Sequence, residues 1–197
     1  MSAVPAKVPM KETCSEFKSD ALYEKFKTAA EVLSAEVYRT AGFDEARQLV
    51  SKLISELQVN KIVYAPSQLV DEVDVKTIGG QLGIETTCEN LRQNAADAVL
   101  GISQMDYAVA EIGTLAGNAT SIESRMVSIL TPIHMVFVHT KNLLPNLLEA
   151  IAVYNKNLGE LPKYLTFVSG PSRTADIERV LTIGVHGPGR LIIVFID

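Results

Sequence analysis

Apolar residues first recur at helical spacing. Leu22, Phe26, Ala29, Leu33 and Val37 stand three and four apart, which predicts an amphipathic helix with one stripe turned to a core. Gly42 ends that helix, and Asp44 is placed to cap a second one, in which Ala46, Leu49, Val50, Leu53, Ile54 and Leu57 follow the helical period. After Asn60 the pattern changes to short β-prone runs. Lys61-Ile62-Val63-Tyr64-Ala65 reads as a strand stopped by Pro66. Over residues 67–87, Val70, Val73, Val75 and Ile78 are scattered, and Gly79-Gly80 is expected to break any element. A strand or loop leading to a helix over 88–96 is the expectation there.

Short strands are expected over 98–102 and 107–111, the second running on through Gly113-Thr114-Leu115 to a turn at Gly117-Asn118. His134-Met135-Val136-Phe137-Val138-His139 is a buried-type strand, and a helix over 142–155 follows, with Pro145 tolerated in its first turn. A strand over 165–169, a short helix over 173–180 and a strand over 191–196 complete the chain. Strands that are apolar on both faces and alternate with helices predict an α/β fold with a mostly parallel sheet covered on both sides, preceded by two N-terminal helices. Residues 1–14 read as a loose tail, 15–58 as helical and 60–197 as the sheet core of a single domain, the natural size for 197 residues.

Composition narrows the classes of function. An apolar fraction of 47% with 21% charged residues belongs to a globular protein. A net charge of -5, without a basic run or aromatic ladder, argues against nucleic acid. The longest apolar run, Leu191 to Ile196, is strand length and far short of the roughly 18 residues of a membrane span. Pro5, Lys7, Pro9, Lys11 and Glu12 interrupt any signal-peptide core. Cys14 and Cys88 stand alone, so neither a disulfide framework nor a metal site is expected, and a cytoplasmic setting is the simplest. The apolar surface of the first two helices suits a subunit interface as well as a sheet, which leaves a homo-oligomer open.

Chemistry is best placed at three features. The first is Gly170-Pro171-Ser172-Arg173-Thr174, between a strand and the expected helix. Ser172 or Thr174 would cap that helix, and its free N–H groups with the Arg173 fork would suit an anion beyond the carboxyl ends of the strands. A well-capped helix with a surface arginine explains the same residues. Asp176 and Glu178 point in different directions on a helix, and the helix dipole alone accounts for Asp176 in a first turn. The second is Gly184-Val185-His186-Gly187-Pro188-Gly189, a tight loop in which His186 serves as acid, base or ligand, or as a structural hydrogen-bonder. The third is Glu111, a carboxylate at the end of an apolar run, suited to a cleft or to water at an edge. Walker A, dinucleotide-fingerprint and nucleophile-elbow patterns are absent.

These residues also carry a family resemblance. Ser169-Gly170-Pro171-Ser172-Arg173-Thr174-Ala175-Asp176-Ile177-Glu178, followed by Gly184-Val185-His186-Gly187-Pro188, resembles the signature of the LUD (lactate-utilisation) domain. Ala110-Glu111-Ile112-Gly113-Thr114-Leu115 is similar to that family's Ala-Glu-Thr-Gly-Thr segment, and Arg125, Ser128 and His134 sit where the family continues. The resemblance covers roughly residues 60–197. It implies a three-layer fold of the NagB/RpiA/CoA-transferase type. It also implies a part in oxidising L-lactate to pyruvate with iron–sulfur partner proteins, no cofactor in this chain, and a small anionic ligand. Carried over residue by residue, it implies catalytic roles for Glu111, His186 and Asp176. Ligand contacts would come from Thr114, Arg125, Ser172, Arg173, Thr174, Glu178 and Gly187. Ile112 in place of a small hydroxyl residue, and Leu130-Thr131-Pro132-Ile133-His134 in place of Leu-Pro-x-x-His, are consistent with a paralogue for another substrate. The alternative is a stand-alone transferase, isomerase or cyclo-ligase acting on a phosphorylated or CoA-like ligand.

Overall fold

The computed structural model describes residues 16–156, 162–175 and 181–197. Its centre is a sheet of six strands, every neighbouring pair parallel. The order is β1 (Glu36–Thr40), β12 (Arg190–Ile196), β7 (Ile133–His139), β4 (Leu100–Gln104), β2 (Lys61–Tyr64) and β3 (Glu85–Thr87). The central strands are apolar on both faces because each face has its own cover. On β12, Ile192, Val194 and Ile196 enter one core while Leu191, Ile193 and Phe195 enter the other. On β7, Met135 and Phe137 separate from Val136 and Val138 in the same way.

The first core is closed by α2 (Phe43–Glu56), α3 (Gln68–Val73) and α4 (Val75–Gln81). The opposite face is covered by α1 (Glu16–Val32), whose Tyr23 and Phe26 meet Phe195 edge-on at 5.4 and 5.0 Å between ring centroids. α5 (Leu91–Asp97) and α6 (Ile122–Leu130) pack farther along, against Val63 and Ala65. Gly101 on β4 lets α6 come close: a Cβ there would stand 2.4 Å from the Val127 carbonyl oxygen. The same face carries a second sheet of β8 (Leu143–Leu144), β5 (Tyr107–Val109), β6 (Thr114–Asn118) and β9 (Leu165–Val168), in that order. α7 (Leu147–Lys156) follows β8, and β10 (Arg173–Ala175) pairs with β11 (Leu181–Ile183) as an antiparallel ribbon.

The α/β class and the parallel, doubly covered sheet agree with the pattern of the sequence. Several local expectations do not. The stretch 15–58 is not wholly helical, because Val37 belongs to β1, and so the two helices do not simply precede the sheet. The buried stripe of α1 is Tyr23, Phe26 and Ala30. Asp44 stands in the first turn of α2, paired with Arg47 at 2.6 Å, while the Ala41 N–H is bonded by Glu45. Gly79-Gly80 sits inside α4, since Gly79 is where that helix touches Thr86 of β3. The run from Tyr107 turns at 110–113 and splits into β5 and β6, and Pro145 precedes α7 instead of opening it. The expected tail 1–14 lies outside the described residues.

Candidate functional site

The motif residues form one group at the amino end of the main sheet. Gly189 and Arg190 donate to the Pro132 carbonyl at 2.9 and 3.3 Å, immediately before the parallel strands β12 and β7 begin. Ser172 is tied to that loop, its N–H donating to Pro188 at 2.8 Å and its carbonyl accepting from Gly184 at 2.9 Å. The expected position beyond the carboxyl ends is therefore corrected. So is the expected helix, because Arg173–Ala175 is extended and paired residue for residue with Leu181–Ile183. The capping signals at Ser172 and Thr174 lose to backbone pairing with the segment Leu181–Ile183. Among the described residues no helix starts at Arg173, so the anion-ready N–H groups expected there are not formed, and the rest of the expected helix, 176–180, lies outside the described residues.

Around that group the two similar segments meet. Thr114 Oγ1 and Ser169 Oγ lie 2.7 Å apart, and Thr114 also donates to the Ile112 carbonyl at 3.2 Å. Gly113 and Gly170 hold φ of 59° and 76°, and a Cβ on either would strike the last turn of α1, at Ala30 N (2.3 Å) and Leu33 O (2.4 Å). Arg173 donates to Ser34 Oγ at 2.9 Å. Gly187 lies against Ser172, a Cβ there standing 3.0 Å from the serine Cβ. Glu111 is exposed, and its carboxylate accepts the Leu147 N–H at 3.4 Å, at the positive end of α7. His186 is exposed in the loop leading to β12. Asp176 and Glu178 lie outside the described residues, and Thr174 is placed by its backbone pairing with Thr182. Most of these contacts join backbone to backbone or fix a turn, which is the chemistry of a structural junction.

Arg125 stands apart from that group. It lines a crevice of about 290 Å³ where β4 ends, together with Ser103, Gln104 and Met105, the α6 residues Ser124 and Ser128, and Tyr164 and Thr166 around β9. The carboxyl ends of strands in an open α/β sheet are where ligands collect. The guanidinium lies 4.7 Å from the Tyr164 ring centroid, and no carboxylate is within ion-pair reach of it among the described residues. Its fork of donors is thus held over an aromatic face, with Glu123 close enough to be felt electrostatically but not paired with it.

One lining residue, Ser103, is paired with a residue behind the crevice wall, a pairing that the sequence pattern does not reveal. Ser103 Oγ is 2.8 Å from His134 Nε2, and the two residues are only 2% and 1% exposed. Burial pushes the His134 pKa down to about 4, so the imidazole is neutral near neutral pH. The available signal is the alternation on β4, where small or polar Gly101 and Ser103 alternate with apolar Leu100 and Ile102. Thr131, a point of departure from the family pattern, has its single hydroxyl proton placed to reach the Val127 and Ile133 carbonyls, at 2.9 and 3.0 Å. Its hydroxyl closes α6 onto β7 and is spent on structure.

A three-layer α/β domain with a crevice at the carboxyl end of a central strand is the class that this geometry defines. The LUD domain family model matches residues 23–196, and the chain belongs to that family. It is 26% identical over 196 residues to lactate utilization protein C of Halalkalibacterium halodurans, covering 96% of this chain and 85% of that one. It is 31% identical over 179 residues to lactate utilization protein C 1 of Bacillus mycoides, covering 85% and 75%. Among solved structures, a DUF162 family protein from Deinococcus radiodurans superposes with a TM-score of 0.64 at 15% identity, over 91% of this chain and 98% of that one. That likeness speaks for the fold alone. No helix among the described residues is long and apolar enough to cross a membrane.

Proposed function

We propose that the chain is a cytoplasmic subunit of a lactate-utilisation system, binding a small carboxylate and working with iron–sulfur partner proteins in the oxidation of L-lactate to pyruvate. The observation that carries the binding part is Arg125, a guanidinium lining the β4 crevice with no carboxylate within ion-pair distance among the described residues. A planar guanidinium pairs a carboxylate through two parallel hydrogen bonds, and a partly dry crevice strengthens such a pair. The names of the relatives supply the metabolic context.

The partner half rests on electron accounting. Converting a secondary alcohol to a ketone removes two electrons and two protons, and something must receive the electrons. The chain has two cysteines, fewer than the four thiolates that hold a common iron–sulfur cluster. The clusters therefore belong on other subunits. Affinity purification of the full chain from cells grown on L-lactate tests this reading. Co-purification of a protein with iron–sulfur visible absorbance, and loss of growth on L-lactate when the gene is deleted, are the expected results. Unimpaired growth of the deletion strain, with no cluster-bearing protein retained, would overturn it.

A further inference from the structure

We propose that Ser103, backed by His134, reads the oxygen on carbon 2 of a 2-hydroxy or 2-oxo carboxylate whose carboxylate group rests on Arg125. This deepens the crevice reading and rests on it. Of the polar groups around the crevice, several are already engaged. The Ser128 hydroxyl donates to the Arg125 carbonyl at 3.1 Å, Gln104 Oε1 accepts the Leu69 N–H at 2.9 Å, and Asn118 Oδ1 accepts the Thr120 N–H at 2.9 Å. Ser103 is different, because its described partner is a ring nitrogen that either accepts or donates.

A serine hydroxyl has one proton and two acceptor sites, and a neutral imidazole carries its proton on one nitrogen or the other. With the proton on His134 Nε2, the ring donates to Ser103 Oγ, and the serine proton is free to donate to a ketone oxygen. With the proton on Nδ1, Ser103 donates to the ring, and its oxygen accepts from a ligand hydroxyl. One pair therefore suits both oxidation levels of carbon 2 by changing tautomer, with no change of net charge. Burial keeps the ring neutral, so Arg125 supplies the positive charge and the pair supplies the discrimination. Met105, Ile129 and Leu165 give the crevice apolar wall for the rest of the acid.

Titration calorimetry on the full chain with L-lactate, pyruvate and propionate, which shares the skeleton but lacks the oxygen on carbon 2, provides the test. The wild type is expected to bind lactate and pyruvate about tenfold more tightly than propionate, the size of one net hydrogen bond. Ser103→Ala is expected to compress that ratio to about one by weakening lactate and pyruvate. The wild-type comparison needs no variant, so a Ser103→Ala protein that fails to fold leaves the test intact. Equal affinity for all three acids, lost in Arg125→Gln, would overturn the role of Ser103 while the crevice reading stands. A preference for lactate that survives in folded Ser103→Ala would overturn it too. If none of the three acids binds, both the inference and the crevice reading fall.

Discussion

His134 gives the molecule a pH signature of its own. Its folded-state pKa is about 4 because burial disfavours the charged ring, against an ordinary value of 6.5. Between those values the unfolded chain takes up a proton that the folded chain refuses. The native state is therefore fully supported above pH 6.5 and loses support as pH falls towards 4, by roughly 3 kcal/mol in all. Urea unfolding at a series of pH values, on the wild type and His134→Gln, checks this. The stability difference between the two proteins should shrink over that window as pH falls, and a constant difference would contradict it. At this scale the sequence was partly legible. The family resemblance points to Arg125 as a ligand contact and includes His134 in its motif, but a lone serine on a strand announces no partner 31 positions away. Glu111 accepts an N–H at the start of α7 and Ser172 holds the 184–189 loop through its backbone, contacts that their motif does not spell out.

At the scale of elements, the paired glycines of α4 give a sharp contrast. Gly79 meets β3 so closely that a Cβ would lie 1.9 Å from Thr86 Oγ1, whereas a Cβ on Gly80 meets nothing within 4 Å. Replacing a helical glycine by alanine normally stabilises by about 1 kcal/mol. Gly80→Ala should therefore raise the melting temperature. Gly79→Ala should lower it, by a loss on the order of 1–3 kcal/mol from overpacking. Calorimetric melting of both variants decides the matter, and two shifts of the same sign would refute the proposed contact. Glycine as punctuation predicts a break here, but glycine as a close-approach residue keeps the helix. The same competition explains β10: turn and cap residues around Gly170 suggest a helix, while the partner that makes Arg173–Ala175 extended lies in another segment. Strands such as β2, β7 and β12, whose central residues are mostly apolar, are legible because burial on both faces leaves little other arrangement.

For the whole molecule, the parallel sheet separates two regions that the motif reading had merged. The amino end carries the Gly170–Arg173 segment and the loop of residues 184–189, tied to each other by backbone bonds, with Gly170 set closely against Leu33 just after α1. The carboxyl end of β4 carries the crevice lined by Arg125 and Ser103, with His134 of β7 bonded to Ser103 from behind. A linear pattern shows which residues are similar to a family, but the edge of the sheet they occupy depends on strand direction and order. Both appear only once β12 is inserted between β1 and β7. A crystal structure of the full chain grown at saturating pyruvate tests the central claim most directly. The expected result is pyruvate in the β4 crevice, its carboxylate paired with the Arg125 guanidinium. Pyruvate ordered at the His186 loop beside an empty crevice would contradict it.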